Sequence, residues 1–242
     1  MRVCVSLIER TAHVRLPTGP QFNEYRFSVE RARMVRDQLV ARGINNDRVL
    51  VAMGRTPRHL FVPPETRAHA YDDGPLPIGA GQTISQPFIV ALMTQLILPM
   101  PNDRVLEVGC GSGYQAAVLA EIVREVIGLE RIGDLALQAE ALLHKLGHAN
   151  VDIHIRDGTE GYAPAAPYDA IIVSAAAPEA PEPLMGQLAE GGRLVVPVGD
   201  ETGQVIERIT RRHGRFERER MIEVRFVPLI GRYGFKKSWG WE

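Results

Sequence analysis

Asp103-Arg-Val-Leu-Glu-Val-Gly-Cys-Gly-Ser-Gly-Tyr114 reads as a strand that breaks into a glycine loop and opens a helix. Val105, Leu106 and Val108 are strand formers. Gly109, Gly111 and Gly113 permit tight turning and close approach of a ligand, and Ala116 to Ile122 continue at helical spacing. A dinucleotide fingerprint would carry G-x-G-x-x-G, whose last glycine lets helix and strand pack closely while the helix N-terminus faces a pyrophosphate. Tyr114 stands at that last position, which argues against such a ligand.

The glycines alternate instead, and the acidic Glu107 precedes them, a pattern suited to a ligand without phosphates whose positive end is drawn to a carboxylate. S-adenosylmethionine is such a ligand. A second strand, Glu125 to Leu129, ends in Glu130, 17 residues past Gly113, where a carboxylate can accept hydrogen bonds from both ribose hydroxyls. A third, Val151 to Ile155, ends before Asp157-Gly158, placed to take the adenine amino group. Glu107, Glu130 and Asp157 could each be a plain polar strand end; three in order carry more weight than one glycine loop.

The chain has 242 residues, 45% hydrophobic and 24% charged, enough for one substantial core and within the range of a single α/β domain. With 28 Lys and Arg against 29 Asp and Glu the net charge is −1, so no global field favours nucleic acid or an anionic membrane. The two cysteines, Cys4 and Cys110, suggest no disulfide framework and fit a cytoplasmic protein. Val3 to Ile8 is apolar but is interrupted by Glu9 and Arg10, a poor signal peptide, and no stretch approaches the length of a membrane span.

Residues 1 to 22 show no periodicity and read as a flexible arm. From Phe27 the spacing predicts a helix with Ala32, Val35 and Leu39 on one face and a stop at Gly43, followed by a short helix capped by Asn46 or Asp47. Phe61 to Ile84 reads as a long ordered loop, of the kind that often carries binding groups, and helical spacing resumes over 84 to 98 with Ser85 at the N-cap and Pro87 in the first turn. Beyond Asp103 the pattern alternates: helix 113–123, strand 125–129, helix 132–147, strand 151–155, strand 168–173, helix 181–189, strand 192–196. An antiparallel hairpin over 204–210 and 216–226 then closes the pattern. The fold class is α/β, a Rossmann-like doubly wound, mostly parallel sheet with a C-terminal antiparallel hairpin and an N-terminal helical and loop extension. One domain over 23–230 is expected, its helical and substrate-loop part at 23–100 and its cofactor-binding sheet at 101–230, with a tail at 231–242.

Taken together, Leu76-Pro-Ile-Gly-Ala-Gly-Gln-Thr-Ile-Ser-Gln-Pro87, Val105 to Gln115, Glu130-Arg131, Asp169-Ala-Ile-Ile-Val173 and Val224-Arg-Phe-Val-Pro-Leu229 closely resemble the protein-L-isoaspartate O-methyltransferases, class I methyltransferases, from about Arg31 to Leu229. The resemblance implies methyl transfer from S-adenosylmethionine, leaving S-adenosylhomocysteine, to the α-carboxylate of L-isoaspartyl residues in damaged proteins and peptides, whose ester collapses to a succinimide. It further implies that Ser85 is the active-site serine and that Gln82, Thr83, Ile84 and Ser85 line the cofactor and substrate cleft. Glu107 with Gly109, Gly111 and Gly113 would hold the methionine part, Glu130 the ribose, and Asp157 and Gly158 the adenine, while Val227 would grip the isoaspartyl residue through its backbone. Cys110 stands where the family often has threonine or serine, and Arg156 where glycine often precedes the acidic residue.

A sulfonium already activates its methyl group, and a carboxylate with a pKa of about 4 is ionised at neutral pH, so alignment dominates and no general base is needed. Ser85 then serves as a hydrogen-bond donor that orients the acceptor. His144 and His148 have a metal-compatible spacing without further ligands, and no metal is expected. Other readings are a methyltransferase of the same fold with another acceptor, an NAD-dependent oxidoreductase, and a noncatalytic S-adenosylmethionine-binding module; a monomer that engages neither nucleic acid nor membrane is expected.

Overall fold

In the computed structural model, which describes residues 20–237, a seven-stranded sheet carries the alternating pattern that begins at Asp103. Its strands are β3 (Arg104–Val108), β4 (Glu125–Glu130), β5 (Val151–Ile155), β6 (Tyr168–Val173), β7 (Leu188–Gly199), β8 (Gln204–Arg212) and β9 (Arg215–Val224). They lie in the order β5-β4-β3-β6-β7-β8-β9, parallel from β5 to β7 and antiparallel across β8 and β9. A separate two-stranded hairpin, β1 (Leu76–Gly79) and β2 (Gln82–Ile84), sits ahead of it.

Alternation along the central strands divides the interior in two. Val105, Ala170, Ile172 and Val195 face one core, and Leu106, Val108, Ile171, Val173, Leu194 and Val196 face the other. Helices α2 (Asp47–Arg55), α3 (Pro87–Leu96) and α4 (Tyr114–Ala120) contribute to the first, while α6 (Glu182–Gly186) and the segment around Leu229 cover the second. Helix α5 (Gly133–Lys145) follows β4 and returns the chain to β5. A parallel sheet buried on both faces needs long apolar strands, and that is why the sequence reads them so well.

The structure corrects several boundaries. Helix α1 (Pro20–Arg33) starts earlier than Phe27, and it passes into a π-helical turn, Met34–Leu39, before Gly43 stops it at φ 90°. The wider turn shifts the register, so Met34 and Leu39 are buried five residues apart and Ala32, predicted to face inward, is exposed. Asn46 caps α2 by accepting from the Arg48 and Val49 N–H groups. The stretch read as one long loop contains the hairpin, with Leu76 paired to Ile84, and the turns Arg58–Leu60 and Pro64–His69. The helix expected at 181–189 shrinks to α6 because Gln187 leaves it: its side chain accepts from Tyr162 N–H and donates to the Glu160 carbonyl, and β7 begins at the next residue.

The arm expected at 1–22 lies outside the described residues up to residue 19, and Trp239 and Trp241 of the tail lie outside them as well. Residues 231–235 fold against the turn after β5. The Arg232 N–H donates to Asp157 at 2.7 Å and the Tyr233 N–H to Thr159 at 3.1 Å. Among the described residues no helix is long and apolar enough to cross a membrane.

Candidate active site

The carboxyl ends of β3, β4 and β6 face the β1–β2 hairpin across a cleft of about 830 Å³, open mouth included, within the range common for small-molecule sites. Its walls come from Gln82, Thr83, Gly109, Gly111, Glu130, Ile132, Gly158, Ser174 and the segment 227–230. A smaller chamber opens beneath it, lined by Ile84, Ser85, Glu107, Cys110, Tyr114 and Ser174 among others. An outer groove runs from Ser85 and Phe88 to residues 222–227. Thr83 and Ser174 border all three spaces, so the three meet there.

Close approach explains the glycines. Gly109 and Gly111 sit at φ 79° and 51°, where side-chain-bearing residues are strained, and both line the cleft. A Cβ on Gly158 would come within 2.6 Å of the Val108 side chain. Gly113 has a different task from the one predicted. It is the N-cap of α4 at φ 83°, it lies outside the cleft walls, and a Cβ there would press on Ala139 and Leu143 of α5 at 3.1 and 3.2 Å. Tyr114 is fully buried, edge-on to Phe61 with Arg58 over its ring, and fills the place where a dinucleotide fold would need glycine.

Glu130, expected to take the ribose, lines the cleft. One carboxylate oxygen accepts from the Gly111 N–H at 3.0 Å and the other from the Ile132 N–H at 2.9 Å, which fixes the group at the cleft wall. Each oxygen keeps a further lone pair for a ligand hydroxyl. Glu107 lies deeper, with no exposed surface, and points to the face of α3 and α4. Ser174 Oγ donates to its Oε1 at 3.3 Å, while Oε2 has no partner among the described residues. Burial pushes its pKa up from 4.5 to about 8, against the lowering effect of the Ser174 bond. An orphaned, fully buried carboxylate oxygen at the chamber wall calls for a cation, and the ammonium and sulfonium of S-adenosylmethionine are of that sign. The residues present therefore fit that cofactor.

Two expectations need correction here. Ser85 is not the helix cap: Pro87 opens α3 and Gln86 holds the cap position, leaving Ser85 half-buried one residue earlier, at the boundary of chamber and groove. The Asp157 carboxylate does not line the cleft. Its oxygens accept from the N–H and hydroxyl of Thr159 and the N–H of Arg232, and only the neighbouring Gly158 reaches the wall. Burial tends to raise the Asp157 pKa, but those donors outweigh it and hold the group below the usual carboxylate range. Asp157 thus staples the C-terminal segment that forms the opposite wall.

Val227 borders both cleft and groove. Its carbonyl accepts from the Ala176 N–H, so the N–H is the backbone group left for a substrate. The buried Gln204 fixes the preceding residue, accepting from the Phe226 N–H at 2.7 Å and donating to its carbonyl at 3.1 Å. Cys110 packs against Gly128, and burial raises its thiol pKa well above the ordinary value, so it is an inert filler. Arg156, the other departure from the family pattern, lays its guanidinium over Tyr162 and leaves its N–H on the Glu130 carbonyl. Sequence reading missed Ser174, Gln204, Ile132 and the wall 228–230. For Ser174 a signal existed, since it follows β6 at the same carboxyl edge as Glu107 and Glu130. No group of three His, Cys, Asp or Glu side chains able to hold a metal occurs among the described residues.

A family profile described as Protein-L-isoaspartate(D-aspartate) O-methyltransferase (PCMT) matches residues 30–234. The protein-L-isoaspartate O-methyltransferase of Methanoregula boonei is 56% identical over 212 residues, covering 88% of this chain and 98% of the relative. That of Roseiflexus castenholzii is 54% identical over 205 residues, covering 85% and 94%. A solved protein-L-isoaspartate O-methyltransferase superposes with a TM-score of 0.77 at 28% identity, over 84% of this chain and 67% of its own. A crystal structure from Plasmodium falciparum, described as a protein-L-isoaspartate O-methyltransferase in complex with S-adenosyl-L-homocysteine, superposes at 0.73 with 30% identity, over 83% and 98%.

Proposed function

The chain belongs to the protein-L-isoaspartate(D-aspartate) O-methyltransferase family, and from that premise we propose that it methylates the α-carboxylate of L-isoaspartyl residues in damaged proteins and peptides. The observation that carries the reading is the meeting of three spaces at Thr83 and Ser174, with Ser85 on the boundary of the second and third: a cofactor cleft, a chamber with an orphaned carboxylate, and an outer groove open to a polypeptide. S-adenosylmethionine, when bound, supplies the activated methyl group. The acceptor carboxylate forms its new O–C bond as the C–S bond breaks, the electron pair stays on sulfur, and no proton moves.

This chain's residues align and exclude. Glu130 takes the ribose, Glu107 the cationic end, Gly109 and Gly111 allow close approach, Gly158 backs the adenine, Gln82 and Thr83 close the cleft from the hairpin side, and Ile84, expected at the cleft, walls the smaller chamber instead. Ser85 donates to the acceptor carboxylate and the Val227 N–H grips the isoaspartyl backbone. Such positioning is the main lever for a reaction whose nucleophile is already ionised. The catalytic unit is read as a single domain that takes in residues 231–235, which fold against the turn after β5, working as a monomer in the cytoplasm, and a net charge of −1 offers no field for nucleic acid.

The methyl ester loses methanol as the neighbouring backbone nitrogen closes a succinimide, and hydrolysis of that ring returns part of the material to normal aspartate. Repeated incubation of an isoaspartyl peptide with enzyme and cofactor should convert it progressively to the aspartyl form, followed by chromatography. A peptide that stays isoaspartyl while cofactor is consumed on another acceptor would contradict the proposal.

A further inference from the structure

Ser174 has no part in the expected site, yet it borders all three spaces. It stands one residue beyond β6, its N–H donates to the Val108 carbonyl at 2.8 Å, and its backbone packs beside Gly109. Its position is thereby tied to the glycine loop on the sheet side of the cleft. Ser85 comes from the opposite wall, between the hairpin and α3. Ser85 and Ser174, carried by different elements, both line the chamber and the groove.

The hydroxyl is loosely committed. Its bond to Glu107 measures 3.3 Å, beyond the 2.5–3.0 Å usual for O–H···O. An ionised carboxylate arriving in the groove offers the same hydroxyl a short, charge-assisted bond. An acceptor held by one donor can still swing about it; a second donor from the other side fixes which oxygen lies in line with the breaking C–S bond.

We propose that Ser174 is a second acceptor-binding residue, its hydroxyl turning from Glu107 to the substrate α-carboxylate and clamping it opposite Ser85. This inference rests on the isoaspartyl reading above and deepens it.

The test is calorimetric binding, in the presence of S-adenosylhomocysteine, of an isoaspartyl peptide and of the same peptide with that α-carboxylate made a carboxamide. Ser174→Ala should weaken the carboxylate peptide about 10-fold, the scale of one hydrogen bond to a charged group. With S-adenosylhomocysteine saturating, it should weaken the carboxamide peptide, whose neutral carbonyl is the poorer acceptor, markedly less, and Ser174→Thr should restore binding. Ser174→Cys, which keeps the shape with only a weak donor, should show the same selective loss and guards against a folding defect in the alanine variant. Undiminished carboxylate affinity, or equal loss for both peptides, overturns the role of Ser174. Wild-type protein that binds neither peptide and methylates none overturns the isoaspartyl reading itself, a separate outcome.

Discussion

Glu107 is an ionisable group whose burial works against the empty protein, and Glu107→Gln isolates that cost. The carboxyl has no exposed surface, one oxygen without a partner, and a pKa raised by burial from 4.5 to about 8. Below pH 4.5 folded and unfolded chains both hold the proton, so Glu107 contributes nothing to the pH dependence. Between there and pH 8 the unfolded chain releases it while the folded chain keeps it, so stability falls as pH rises and levels off above pH 8. At about 1.4 kcal/mol for each pH unit, the loss amounts to about 3 kcal/mol by pH 7 and about 5 by pH 8. Glutamine cannot ionise, and its own burial cost is the same at every pH. Urea denaturation of cofactor-free protein between pH 4.5 and 9 should show the variant gaining about 3 kcal/mol relative to wild type over the interval to pH 7. The same substitution should weaken S-adenosylmethionine binding about 10-fold or more. Wild-type binding at pH 7 should release close to one proton, measured by calorimetry in buffers of different ionisation enthalpy, and the variant none. Parallel stability curves for the two proteins, or binding without proton release, would refute the placement of Glu107 as a neutral acid awaiting a cation.

Other perturbations separate the remaining roles. Ser85→Ala should lower turnover on an isoaspartyl peptide at least 10-fold with cofactor affinity nearly intact, as loss of one orienting donor predicts; equal loss of cofactor binding would mean that its role is misassigned. Glu130→Ala should weaken S-adenosylmethionine binding by about 1–3 kcal/mol, because ribose hydroxyls lose their acceptor; unchanged calorimetric affinity would contradict it. The lowered pKa of Asp157 stabilises the fold above the ordinary carboxylate pKa and is lost as pH falls through the folded value. Asp157→Asn should therefore flatten the acid limb of the stability curve and raise hydrogen exchange over residues 229–235. An unchanged acid limb would show that the staple to Arg232 and Thr159 carries no stability.

Much of this was legible in the sequence because a sheet buried on both faces leaves apolar runs that end in polar residues. The bounds of Val151–Ile155 and Tyr168–Val173 are read directly, and Glu107 and Glu130 follow from their places at strand ends. The π-turn at Met34–Leu39 was not legible, since it is a backbone register change that leaves composition untouched. Gly113 and Asp157 have partners that the sequence does not announce, because position in a loop says nothing of what the residue meets across the fold. Gly113 meets Leu143 of α5, and Asp157 meets the N–H of Arg232, a residue far along the chain. Gln204 carries no local signal either, because its function is to fix Phe226 from a neighbouring strand.

The central claim is most directly tested by incubating the protein with methyl-labelled S-adenosylmethionine and a peptide containing L-isoaspartate, beside its aspartyl twin, and counting base-labile methyl esters. Label on the isoaspartyl peptide alone is the predicted result. Label on neither peptide, with cofactor binding intact, would contradict it.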